Sequence, residues 1–142
     1  MRRVVMNLAV GVVLVGGGYV VGRAQGAAPL KSGVVTAAQT VVADSGAWGE
    51  FHKHYGGPTS ATAEVLAGYL DLKLGQEPHP PHAHVDEEFL YLVEGSGTWF
   101  VNGKSIPAKA GDVLYTAPND LHGIKNTGTT PLRFFVVKWR SK

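Results

Sequence analysis

Turn-forming residues punctuate this chain about every 8–12 residues from position 63 onward, and the runs between them are strand formers. Residues 88–93 (EFLYLV) are rich in aromatic and branched side chains and close at Glu94-Gly95. Residues 98–101 (TWFV) lead into Asn102-Gly103, the strongest short hairpin signal, and 104–106 form the return strand. The same reading predicts strands at 63–74, 113–116, 122–126 and 132–139, with turns at Gly75, 110–112 and Gly128. A further strand over 48–59 ends in a Gly-Gly-Pro turn, and an edge strand falls at 34–36 or 40–42. No helical periodicity is visible beyond residue 26. Many short strands with dense turns call for an all-β sandwich or closed barrel, jelly rolls included. The 19 Gly and 8 Pro suit that punctuation.

The 142 residues suffice for one domain of ordinary size. Residues 1–26 read differently from the rest. Arg2 and Arg3 precede an apolar run from Val4 to Gly22, and Ala24-Gln25-Gly26 resembles a signal-peptidase cut. The expectation is a cleaved export signal, or an uncleaved membrane anchor, since about 20 apolar residues can cross a bilayer. Either way the folded part works outside the cytosol, periplasmic, secreted or anchored. Residues 27–59 read as a tether with peripheral strands, and 60–142 as the β-domain.

The apparent basicity comes from that N-terminal segment. It holds three of the 13 Lys and Arg and no acid, which leaves 10 basic against 11 acidic residues beyond it. Nucleic acid is not an expected partner of such a surface. The absence of Cys excludes disulfides, iron–sulfur clusters, thiolate zinc sites and Cys nucleophiles. A metal here must use His, carboxylate or water.

Metal-capable side chains crowd into HPPHAHVDEEFLYLVEG, residues 79–95. Strand side chains alternate faces, so His82, His84 and Glu88, all even-numbered, share one face if the strand is regular. Imidazole with one carboxylate suits Fe, Mn, Ni, Co or Cu. His122, which begins a strand after Ala117-Pro118-Asn119-Asp120-Leu121, is a candidate fourth ligand.

The spacing resembles the two motifs of the cupin superfamily. Gly75 is followed after six residues by His82-Ala83-His84, after three more by Glu88 and after six by Gly95. In the second motif His122 lies eleven residues after Gly111, and Asn126 follows after three. The departures touch no ligand. The gap from Gly75 to His82 is one residue longer than the family's, Pro118 sits one place late, and Asn119 replaces a glycine. Asn tolerates the left-handed backbone that turn requires. The resemblance covers about residues 60–140. It implies a single-domain jelly-roll β-barrel, the double-stranded β-helix, with one divalent transition metal (Fe, Mn, Ni, Cu or Zn) held by His82, His84, Glu88 and His122. It also implies a homodimer.

The resemblance further implies a metal-dependent oxidoreductase of the dioxygenase kind acting on a small organic molecule, with Glu88 able to shuttle a proton. A metal-dependent isomerase or lyase, and a non-catalytic small-molecule or metal-binding module, remain open alternatives. No other acid–base residue has a secure inward position by parity. His79 reads as a rim residue, and His52 and His54 as solvated or packed. Trp99, Phe134, Phe135 and Trp139 read mainly as core. Phe89, Tyr91 and Val93 share the Glu87 face, and Leu90 and Leu92 the Glu88 face, so the strand is expected to be covered on both sides.

Overall fold

The computed structural model describes residues 28–142, and the N-terminal hydrophobic segment lies outside the described residues. A 3₁₀ turn at Ala37–Gln39 precedes nine strands. They are β1 (Val41–Gly46), β2 (Gly49–Gly57), β3 (Thr62–Leu72), β4 (Glu87–Glu94), β5 (Ser96–Val101), β6 (Lys104–Lys109), β7 (Val113–Thr116), β8 (His122–Lys125) and β9 (Leu132–Ser141). Of the two alternatives for the edge strand, the one near 40–42 is occupied, by β1. Among the described residues no helix is long and apolar enough to cross a membrane.

The strands form two antiparallel sheets, one in the order β1-β2-β3-β9-β4-β7 and one in the order β6-β5-β8. A closed barrel was expected, and the hydrogen-bond ladders instead stay separate. The edges give the reason. Pro107 on the edge strand β6 has no N–H to offer a neighbour. The edges β7 and β8 are only four residues long. The chain passes from the large sheet to the small one at Gly95, whose φ is +81°. A Cβ there would run into the Pro131 carbonyl oxygen, so only glycine turns this corner. The hairpin between β5 and β6 has Asn102 and Gly103 both at positive φ, as a two-residue turn of that sequence demands.

One core lies between the sheets. Leu72, Leu90, Leu92, Leu132, Phe134 and Val136 of the large sheet meet Trp99, Ala108 and Ile124 of the small one. Strand alternation produces it: on β4, Glu88, Leu90 and Leu92 are buried. Phe89, Tyr91 and Val93 point the other way and are 38%, 49% and 43% exposed. That outer face was expected to be covered, and among the described residues it is open. Phe135 and Trp139 also belong to it rather than to the core. Trp139 stacks on Phe89 with ring centroids 5.6 Å apart, and Phe135 packs edge-on against His54.

Candidate metal centre

The segment between β3 and β4 is a loop, not the regular strand that parity required. Pro78, Pro80 and Pro81 lack the N–H groups a ladder needs. A pair of backbone bonds fastens it at the first ligand histidine: His82 N–H donates to His122 O, and His122 N–H to His82 O, both at 2.9 Å. Two residues on, the Asn119 N–H donates to His84 O at 2.7 Å. Asn119 has φ +66°, the left-handed turn its side chain tolerates. The hairpin tip supports the same turn, because Asn102 Oδ1 accepts from Leu121 N–H at 3.0 Å. His82 and His84 are therefore brought in by loop pinning, whereas Glu88 on β4 and His122, the first residue of β8, are placed by strands.

A ring nitrogen from each of His82, His84 and His122 lies within 4.8 Å of those of the other two. His84 Nδ1–H donates to Asp86 O at 3.1 Å, and His122 Nδ1–H to Asp120 O at 2.8 Å. A carbonyl can only accept, so each bond puts the proton on Nδ1 and the free lone pair on Nε2. Those two Nε2 atoms, and His82 Nδ1, are buried with no hydrogen-bond partner. Unpaired buried polar atoms are costly, and three imidazoles that bring a ring nitrogen together fit a divalent cation.

Glu88 stands beside this group, with its carboxylate oxygens 3.4 Å from His84 Nε2 and 3.5 Å from His122 Nε2. Burial favours the neutral acid, but the adjacent His122, then His84 and Lys138, outweigh it and hold the carboxyl below its ordinary range. His122 is pulled down by burial and raised more strongly by Glu88 and the Asp120 carbonyl, for a net upward shift. His82 is pushed down to about 4, by burial first and then by His79, His122 and His84, against the opposing pull of Glu88. Near neutral pH it keeps its lone pair.

The centre forms one wall of a cavity of about 180 Å³, whose lining includes Trp48, Phe51, Leu70, Trp99, Phe134 and Lys138. An apolar cavity of similar size, about 150 Å³, admits benzene. His79 lies against His82, edge to face at 4.1 Å between centroids, and also lines the cavity. His52 stacks on Tyr69 and bonds to Glu50, and His54 packs against Tyr69 and Phe135. Among the described residues they join no metal-capable group.

Two inward polar residues escaped the sequence reading. Lys138 follows Leu132, Phe134 and Val136 on the inner face of β9 and pairs in register with Glu88. Its even number carried that signal, although the length of β9 did not tell which face was inside. Thr116 pairs with Glu88 from the other side, on β7, and its buried hydroxyl has no partner.

The family model described as a cupin domain matches residues 68–138. An oxalate-binding protein of Thermotoga maritima is 46% identical over 57 residues, 39% of this chain and 47% of that protein. The chain spans about half the length of the curated relatives it matches. A Thermotoga maritima structure described as a predicted oxalate decarboxylase superposes with a TM-score of 0.50 at 30% identity, covering 57% of this chain and 84% of that one. An RmlC-like cupin from Shewanella frigidimarina gives 0.62 at 20% identity over 79% and 94%, a likeness of fold alone. Two packed sheets, the two motifs brought to one point and this family match together place the chain in the cupin family, with three histidines able to hold a metal ion.

Proposed function

We propose that His82, His84, Glu88 and His122 hold one divalent transition metal, and that the protein is a metal-dependent oxidoreductase of the dioxygenase kind for a small organic molecule bound through oxygen. The observation that carries this is the convergence of ring nitrogens from three histidines beside one ionised carboxylate on the wall of a largely apolar cavity. Three His and one Glu suit Fe, Mn, Ni, Cu or Zn. With four protein ligands such an ion, when bound, keeps positions for substrate oxygen and for O2.

The chain's own residues do the rest. The Asp86 and Asp120 carbonyls hold the His84 and His122 tautomers. Trp48, Phe51 and Phe134 wall the ligand from water. Glu88 is the inward carboxylate able to take a proton from an enol or phenol as it binds.

Elemental analysis of protein purified without an affinity metal, with O2 uptake against phenolics and enediols, tests the reading. About one Fe, Mn, Ni or Cu per chain with substrate-dependent uptake is expected. Zinc, or no uptake after reconstitution, would favour an isomerase or lyase, or a binding module. The relative named as an oxalate-binding protein lends weight to the last of these.

The same reading places the domain outside the cytosol, as a periplasmic, secreted or anchored protein. N-terminal sequencing of the exported protein should start near residue 27 for a cleaved signal and at Met1 for an anchor. It also takes the open face of Phe89, Tyr91, Val93, Val113 and Tyr115 as a homodimer surface. Light scattering should then give twice the chain mass, and a monomer at high concentration would remove the dimer from the reading.

A further inference from the structure

An ammonium group on the wall of a largely apolar cavity costs desolvation unless something there uses it. Lys138 is such a group. It is the lysine among the cavity-lining residues, beside the carboxylates of Glu88 and Asp44. Asp44 is exposed, on β1, and is solvated. Glu88 lies directly across from Lys138 on the neighbouring strand and is turned to His84 and His122.

Asp86 is the acid that pairs with Lys138, without a direct hydrogen bond. Lys138 Nζ is 3.9 Å from Asp86 Oδ2, beyond hydrogen-bond reach. Arg140 Nε sits 3.9 Å from the other oxygen, Oδ1, so Asp86 already has a second cation beside it. Lys138 is only 29% exposed, and its pairing with Asp86 is loose and shared with Arg140.

Charge balance then states what the cavity lacks. Three neutral imidazoles and one carboxylate leave a divalent ion with one positive charge, and Lys138 adds another. A low-dielectric wall favours a ligand that cancels both. We propose that Lys138 is a specificity-determining residue that selects a doubly charged oxygen chelator, a small dicarboxylate, enediolate or catecholate, over a singly charged ligand of the same shape. One oxygen pair faces the centre, and the ammonium pairs with the remaining negative charge. This inference rests on the metal-centre reading above.

The test uses the full chain loaded with Mn(II). Calorimetry compares oxalate, a dianion, with oxamate, its singly charged amide of nearly the same shape. The wild-type chain should bind oxalate more tightly. Lys138→Met, which keeps most of the aliphatic stem, should lose about tenfold in oxalate affinity with little change for oxamate, the order expected for a half-buried charge pair. Lys138→Arg should restore the preference. Arg140→Met, which removes the other cation at Asp86, should leave it unchanged, and Lys138→Gln serves if the Met variant does not fold. An undiminished oxalate preference in a Lys138 variant that still holds Mn(II) overturns the proposal and leaves the metal centre standing. An equal loss in Arg140→Met also overturns it, as does a loaded wild-type chain that binds neither ligand. Failure of the wild-type chain to take up Mn(II) overturns the metal-centre reading and this inference with it.

Discussion

Replacing His84 by Ala should leave the protein folded and strip it of metal. His84 stands on a loop outside the apolar core, and its loss removes one hydrogen bond, from Nδ1 to Asp86 O. Its ligand nitrogen, by contrast, is one of three that come together. Removing an outer-sphere partner of a ligand typically costs about 10–100-fold in metal affinity, and losing the ligand itself should exceed about a hundredfold. Elemental analysis after gel filtration should fall from about one ion per chain to near none, with an unchanged circular dichroism spectrum. His79→Ala is the matched control. His79 packs against His82 but stands outside the three-histidine group, so that variant should keep its metal. Full retention by His84→Ala would sink the site assignment.

Asn126→Ala should be the most destabilising single change near the site that touches no ligand. Asn126 is fully buried. Its Nδ2 donates to Leu72 O at 3.1 Å and to Thr130 O at 3.0 Å, while Oδ1 accepts from Gly128 N–H at 3.1 Å. Its backbone also bonds in both directions to the loop after β3, through Gly75 and Gln76. One side chain thus ties the end of β3, the start of the ligand loop and the turn before β9. Truncation breaks three bonds, one buried and two partly buried, and opens a small void. The expected cost is roughly 3 kcal/mol, at about 1 kcal/mol or more for each lost bond. For a domain of this size the melting temperature should fall by about 10–20 °C. Asn126→Asp should do comparable harm, because its carboxylate would face two carbonyl oxygens without a proton to donate. A loss below about 1 kcal/mol would mean that water replaces the amide.

Reading the strands from the sequence succeeded where the information is local. Residues 88–93 and 98–101 alternate or crowd strand-forming side chains, and Asn102-Gly103 can close only a tight turn. Asn119 takes the left-handed conformation expected of it because its preference lies within its own residue. The spacing of His82, His84, Glu88 and His122 was legible through the motif resemblance, and the three histidines do meet. The geometric reason first given for it was wrong. A parity argument assumes a continuous strand from His82 to Glu88, and the chain is irregular between His82 and the start of β4 at Glu87.

What remained hidden depends on which strands lie beside which. The last strand presents Phe134, Val136 and Lys138 on one face and Phe135, Val137 and Trp139 on the other, with similar apolar weight on each. Only pairing with β4 decides that the first set, and so Lys138 and its charge, faces the centre. The same holds for Thr116 and for the open outer face of Phe89 and Tyr91. By itself the sequence determined the all-β class, the turns and the absence of thiolate chemistry, because each follows from residue type and short-range spacing, while the three histidines that meet were legible only through the motif resemblance. Tertiary structure decided the two-sheet closure, the loop that aims the histidines and the cation beside them. Those are set by contacts between residues tens of positions apart, which no local pattern encodes.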